Sequence, residues 1–491
     1  MTILSTVALA LLSLADPPTA ADLVSALETA TVEAIARAQP SVVAIARIRG
    51  DEPEKTTAIR GELPVRPGPN PIDNGNLNGF ANPGIAARPL RFEGAAPGDF
   101  SSGVVIGAGG EILTTYHTLR GASQIWVRSP DRKEFEAEIL AADPRSDLAV
   151  IAPRDSADQP ALRLTPIKVG NATKLRPGTF LIALGNAYNA ARDGKASASW
   201  GILSNTARKI HAPQYEEKSG DAARKFFRYQ PTLLQLDSKL NLGMSGGAVV
   251  NMKGELVGLT TAAASPVAYD VQAGYAIPMD NLGRHIAETL RQGREVEYGF
   301  LGIGLAEEIP NGVGNVGKGT PADKANLVTG DVILAVGDRQ LDEDDGLTMA
   351  LSTVTAGQTV KLKILRNGRV EEKTILVSKY PVLGPVIASN RPKAWRGLRV
   401  DFTSVLGGSS PFSEELMRAM SKGGVGIVEV ETGSTAEAAG LRKDLVITAV
   451  DGQPVPTPAD FARVVATKEG KDVTLTTENG PRPGEKVVLK K

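Results

Sequence analysis

The chain is predicted to be mainly β, with a central all-β region followed by two copies of a small α+β module. Three observations carry that expectation. Gly and Pro, at 52 and 32 of 491 residues, favour short strands and many turns over long helices. From Ser101 to about Val271, short apolar runs alternate with turns, as in a barrel or a sandwich. Beyond that region the sequence repeats itself approximately.

The bulk properties narrow the classes. Hydrophobic residues make up 42% and aromatics only 4%, so the cores are built from Val, Ile, Leu and Ala. The length suggests roughly three domains. Lys+Arg and Asp+Glu balance at 55 each, a net charge of zero that gives no electrostatic reason to expect nucleic acid as a partner. There is no cysteine, which excludes disulfides, thiol catalysis and Cys-based zinc sites.

At the N-terminus, Ile3 to Ala15 is an apolar run of 13 residues, short for a bilayer span. Ser13 and Ala15 put small residues at −3 and −1 of a signal-peptidase cut before Asp16-Pro17. No Lys or Arg precedes the run. Residues 1–20 read as a signal peptide and imply a periplasmic or secreted protein; an uncleaved anchor and a buried helix are the other readings.

The elements follow in order. Leu23, Leu27, Ala30 and Ala34 share a helical spacing within 22–38, ending before Pro40. Ser41 to Ile48 reads as a strand. Gly50 to Asp99 is rich in Pro, Gly and Asn with no sustained period, and is expected to be a long loop. Strands are expected at Gly103–Ile106, Ile125–Val127, Leu148–Ile151 and Phe180–Leu184, with a charged excursion from Arg208 to Tyr229. Asp280 is a candidate N-cap for a helix carrying Leu282, Ile286 and Leu290 on one face and ending at Gly293. In the repeat, Thr320–Leu327 precedes Gly330–Val336, and Ser434–Leu441 precedes Lys443–Val450. Placing Asp331 on Asp444 gives an offset of 113 residues and sets Lys443 where the first copy has Gly330. Tyr380 to Pro392 separates the two copies as a linker.

Only three histidines are available as a general base: His117, His211 and His285. His285 falls inside the expected helix and reads as a surface residue; His211 lies in the charged excursion. The strongest local signal is Gly243-Met244-Ser245-Gly246-Gly247. A nucleophilic serine needs a tight turn, free backbone N–H groups beside it and close access for a substrate, all of which flanking glycines permit. Alone, such a cluster is more often a plain turn. His117 supplies a base, and Asp147 opens an apolar strand where it reads either as the carboxylate that orients the imidazole or as a turn cap. The order His, Asp, Ser is that of chymotrypsin-like enzymes.

With Ser102–Ile106, Thr114–His117, Ser146–Val150, Ala183–Asn186, Gln235–Asp237, Ser245–Gly247, Gly274–Pro278 and Phe300–Ile303 all in order, the chain resembles the HtrA/DegP family of trypsin-like proteases with PDZ domains. The resemblance covers about residues 23 to 491. It implies a chymotrypsin-like double β-barrel over 21–297, with the long loop at 50–99, then PDZ domains at 298–380 and 393–491 joined by 381–392. His117, Asp147 and Ser245 would form the triad, and the N–H groups of Gly243 and Ser245 the oxyanion hole. Leu240, Ala263 and Ala264 would line an apolar S1 pocket that favours small or medium aliphatic side chains, with Lys239 beside it. Leu301, Gly302 and Ile303 would bind a peptide's C-terminal carboxylate; Trp395-Arg396-Gly397-Leu398 is the matching loop of the second copy. The family reading implies ATP-independent cleavage of misfolded or unfolded exported polypeptides, control by hydrophobic C-terminal peptides, assembly into trimers or larger oligomers, and no cofactor or metal. The competing reading is a proteolytically inactive or latent chaperone scaffold. Four residues depart from the family pattern: Met244 for Asn, Ala248 for Pro, Tyr116 beside the base and Ala187 after Gly185-Asn186.

Overall fold

The computed structural model describes residues 18–50, 58–60, 99–154, 162–187, 195–208, 233–261, 274–306, 308–341, 346–381, 386–406, 420–478 and 484–491. The apolar N-terminal run, most of the loop between Gly50 and Asp99, and His211 with most of the excursion around it lie outside these residues, as do Ala263 and Ala264.

Helix α1 (Ala20–Ala38) begins with a capping box in which Thr19 and Asp22 satisfy each other's backbone N–H groups. It buries Ala34 and Ala38, while Leu23, Val24, Leu27 and Val32 stay exposed. The strands that follow are β1 (Val42–Arg49), β2 (Phe100–Val105), β3 (Ile112–Thr115), β4 (Ala122–Arg128), β5 (Glu134–Asp143) and β6 (Leu148–Pro153). They run in the order β5-β4-β1-β2-β3-β6, and β5 pairs back onto β6 to close a barrel. Ile45, Ile112, Ile125, Phe135, Ile139 and Ile151 fill it. The second barrel is β7 (Phe180–Gly185), β8 (Ser197–Arg208), β9 (Leu233–Leu236), β10 (Ala248–Asn251), β11 (Leu256–Thr261) and β12 (Gly274–Pro278), closed in the order β10-β11-β12-β9-β8-β7. The fold is therefore the chymotrypsin-like double barrel.

The two barrels are held by a third apolar layer. Val104, Leu113, Leu148 and Val150 from the first meet Ile182, Leu184, Ala248 and Val250 from the second. That double burial explains why these strands read as continuous apolar runs rather than alternating ones. Helix α2 (Asn281–Arg291) is capped by Asp280, whose side chain accepts from the Gly283 N–H at 2.8 Å. Its Leu282, Ile286 and Leu290 join the same layer.

Two α+β units follow. The first contains strands Ile303–Leu305, Val313–Val316, Val332–Val336, Thr359–Arg366 and Arg369–Leu376, with helices Pro321–Lys324 and Gly346–Ser352. The second contains strands Leu398–Phe402, Val425–Val430, Val446–Val450, Val473–Glu478 and Glu485–Leu489, with helices Thr435–Ala438 and Pro458–Ala466. The structure corrects the repeat's register. Helix caps Thr320 and Ser434 correspond, as do strands beginning at Val332 and Val446, an offset of 114 residues rather than 113. Asp444, not Lys443, thus occupies the position of Gly330, and the two share a left-handed backbone, with φ of 71° and 92°. An Asp tolerates that conformation better than most side chains, which is why the match was hidden. Asp331, buried against Arg366 at 2.7 Å, then corresponds to the buried apolar Leu445.

The segment between the units is more than a spacer. Ile387 and Ala388 pair with Ala142 and Ala141 of β5, and the Ser389 N–H donates to the Leu140 carbonyl at 2.7 Å.

Candidate active site

His117 lies in a single 3-10 turn (Tyr116–Thr118) directly after β3. Asp147 ends the turn between β5 and β6, four-percent exposed, with a left-handed φ of 57°. That turn carries its carboxylate back toward β3. The Asp147 Oδ1 accepts from the His117 backbone N–H at 2.8 Å, and Oδ2 lies 2.7 Å from His117 Nδ1. The Tyr116 N–H also donates to the Asp147 carbonyl at 2.9 Å. A carboxylate only accepts, so Nδ1 carries the proton and Nε2 is left as the basic nitrogen. A plain turn cap would satisfy backbone groups alone; this carboxylate grips the ring as well.

Ser245 sits in the loop from β9 to β10, on the second barrel, and is nearly buried. Ser102, a fully buried residue of β2, ties the barrels at this point. Its N–H donates to the Ser245 carbonyl at 2.8 Å, its Oγ donates to the Gly243 carbonyl at 2.8 Å, and that Oγ accepts from the Asn186 N–H at 2.7 Å. Thr114 Oγ1 donates to the Ser102 carbonyl at 2.7 Å. From the other side, Thr260 Oγ1 donates to the Met244 carbonyl, and the Gly246 N–H donates to the Thr260 carbonyl at 2.8 Å. Gly243 has φ of 89°, and among the described residues its N–H carries no hydrogen bond. Gly246 has φ of 82°, and a Cβ there would lie 2.2 Å from the Ser102 carbonyl oxygen. The glycine is thus required both by conformation and by the closeness of β2.

Met244 is buried in the apolar cluster of the second barrel, together with Ala187. Two departures from the family pattern therefore share one core. Gly185 makes room for Met244, since a Cβ on it would sit 3.1–3.2 Å from Met244 atoms. Ala248 is fully buried in β10. Leu240 is partly buried on that barrel and touches the start of β12, where a Gly274 Cβ would come within 2.8 Å of it. Lys239 is exposed. His285 lies on the exposed side of α2.

In the first α+β unit, Gly302 has φ of 79° and packs against the helix cap Thr320; in the second, Gly397 has φ of 83° and packs against Ser434. The two loops therefore correspond. They differ in one respect: Trp395 and Leu398 exchange both backbone hydrogen bonds at 2.9 Å, which occupies the Leu398 N–H.

Sequence reasoning assigned no role to Ser102, Thr114 or Thr260. Each stands beside a second polar residue of its strand (Ser101, Thr115 and Thr261), so no local pattern singles it out.

A trypsin-like peptidase domain model matches residues 101–259, and PDZ domain models match 299–377 and 426–479, so the two barrels and the units after them define a serine peptidase with PDZ domains. The periplasmic pH-dependent serine endoprotease DegQ of Escherichia coli strain K12 is 30% identical over 382 residues, 75% of each chain. A probable periplasmic DegP-like serine endoprotease of Chlamydia trachomatis serovar D is 28% identical over 393 residues, 77% of this chain and 72% of that one. A solved HtrA-type protease, AlgW with a decapeptide, is 24% identical with a TM-score of 0.49, covering 72% of this chain and 99% of its own. This chain belongs to the DegP/DegQ family of HtrA-type serine endoproteases.

Proposed function

We propose that His117, Asp147 and Ser245 are the catalytic triad of an endopeptidase that cleaves unfolded or misfolded exported polypeptides. The observation that carries this reading is the double grip of Asp147 on the backbone and ring of His117. His117 Nε2 would take the Ser245 Oγ proton as that oxygen attacks the scissile carbonyl carbon, and Asp147 would stabilise the imidazolium that forms. The oxyanion of the tetrahedral intermediate would lie at the N–H groups of Gly243 and Ser245. His117 would then protonate the leaving amine, and water would release the acyl-enzyme by the same steps. Met244 is compatible with this role, because a backbone N–H does not depend on its neighbour's side chain and this side chain is buried in the barrel.

Leu240 would form part of an apolar S1 wall, with Ala263 and Ala264 completing it, which selects small or medium aliphatic residues. Leu301, Gly302 and Ile303 would hold a C-terminal carboxylate while the peptide adds along strand Ile303–Leu305. The second unit is the poorer peptide site, because the Leu398 N–H is already spent on Trp395. The periplasmic naming of the relatives supports an exported location, and a trimer or larger oligomer is the assembly that the family resemblance implies.

The test is casein cleavage by the wild type and Ser245→Ala, with and without a peptide ending in an aliphatic residue. The wild type is expected to cut and the variant to be inert. Equal, negligible cleavage by both under every condition would leave a peptide-binding scaffold instead.

A further inference from the structure

The triad accounts for Asp147 but not for the buried cluster that surrounds its turn. Asp143, four residues earlier, is four-percent exposed. Its Oδ1 accepts from the Arg145 N–H at 3.2 Å and its Oδ2 from the Ser146 N–H at 3.1 Å, so this carboxylate folds the turn that ends in Asp147. The Tyr298 hydroxyl donates to the same Oδ2. The Arg145 guanidinium lies between two aromatic faces, 4.2 Å from the Tyr298 ring centroid and 4.4 Å from that of Tyr380. The Tyr380 N–H in turn donates to the Tyr298 carbonyl at 2.7 Å, locking the two tyrosines together.

These tyrosines belong to neither barrel. Tyr298 stands just before the first PDZ match and Tyr380 just after it. Tyr380 also meets Phe300 edge-on, with centroids 5.9 Å apart, and Phe300 immediately precedes the Leu301-Gly302-Ile303 loop. A continuous set of contacts therefore runs from that loop through Tyr380 and Arg145 to a residue two positions from Asp147. The turn needs such support. Asp147 is held in a left-handed conformation, which an Asp tolerates better than most side chains but which remains less favoured than extended or helical backbone.

We propose that Tyr298, Tyr380 and Arg145 are positioning residues for the catalytic centre: the ends of the first PDZ unit clamp the 143–147 turn and thereby set the Asp147 carboxylate that orients His117. This rests on the assignment of Asp147 as the orienting carboxylate. The catalytic turn is thus built jointly by the barrel and the PDZ boundary, and the first PDZ unit is part of the active site's framework rather than an appendage.

The test uses the full chain and a short chromogenic peptide ester or amide, with rates expressed per folded molecule. Tyr298→Phe keeps the ring over Arg145 and deletes the hydroxyl donated to Asp143. Arg145→Lys keeps the charge and loses the planar stack. Each is made alone and in an Asp147→Asn background, and fluorophosphonate labelling of Ser245 is followed in parallel. Each variant alone is expected to lower kcat about 5- to 50-fold with KM within about twofold, the scale of a small misplacement of a catalytic group. In the Asp147→Asn background the same substitutions are expected to cost nothing further, because residues that act through one group are non-additive. Unchanged kcat in both single variants would overturn the proposal, as would equal losses in the two backgrounds, which mark a purely structural role. A normal kcat in Asp147→Asn alone would instead remove the triad assignment on which the proposal rests.

Discussion

Replacing Ser102 by Ala tests how the Ser245 loop is held. The hydroxyl is fully buried and makes two bonds, donating to Gly243 O at 2.8 Å and accepting from Asn186 N at 2.7 Å. Its removal strands a carbonyl and an N–H in the space between the barrels. Each buried group left without a partner costs about 1–3 kcal/mol, for a total of about 2–6 kcal/mol. For a domain of this size that is a fall in Tm of roughly 4–24 °C. The bonds from Ser102 N–H to Ser245 O and from Met244 N–H to Asn241 O survive, so the loop stays attached while the Gly243 carbonyl loses its side-chain partner. Loosening of the Gly243 carbonyl beside the proposed oxyanion donors is expected to lower kcat by about 10- to 100-fold, with KM little changed. Calorimetry and peptide-hydrolysis kinetics read both effects. An Ser102→Ala protein with wild-type Tm and wild-type kcat would refute the argument that this hydroxyl holds the loop.

Three further outcomes are expected. Gly246→Ala places a Cβ 2.2 Å from the Ser102 carbonyl at φ of 82°, so activity on casein is expected to fall at least 100-fold, read as initial rate per folded molecule. Gly302→Ala meets Thr320 at 2.3 Å in a left-handed loop, whereas Gly397→Ala perturbs the loop whose Leu398 N–H is already engaged; calorimetric titration with an aliphatic-ended peptide is expected to lose about tenfold or more in affinity for the first and little for the second. Lys379→Met removes the buried cation that faces Glu295 at 2.9 Å, Asp401 at 2.6 Å and Glu297 at 4.0 Å. Because those carboxylates are partly exposed, the cost near neutral pH is about 2–4 kcal/mol by thermal or urea unfolding. Burial, largest among the causes, already raises the Glu295 and Glu297 carboxyls above their usual range, and loss of Lys379 raises them further. A carboxyl raised in the folded state favours folding once protonated, so the deficit is expected to shrink as pH falls through those raised values toward about 4, the unfolded range. A deficit constant from pH 8 to 5 would contradict the cluster's electrostatic role.

The double barrel, the capped helix after Asp280 and the paired modules were legible because each leaves a local trace: short apolar runs, an N-cap with a periodic face, a repeated block. The His, Asp and Ser of the candidate site were legible through their order along the chain, and Asp147 emerges as a ring partner only once the β5–β6 turn is seen to fold back on β3. What was hidden was whatever depends on contacts between distant segments. Ser102 is one of two adjacent serines in β2, and its partners lie 84 and 141 residues away. The repeat's true offset was obscured because Asp444 takes a left-handed backbone conformation that the first copy gives to a glycine. The strand Ile387–Ala388 is too short to carry a pattern, and it forms because β5 offers it an edge.

The central claim is that Ser245, activated across the cleft by His117 and Asp147, is the nucleophile. Its most direct measurement is to treat the native protein with a fluorophosphonate and locate the adduct by peptide mass spectrometry. The account predicts one adduct, on Ser245, formed rapidly in the wild type and suppressed in His117→Ala. An adduct at another residue, or none on native protein that cleaves casein, would contradict it.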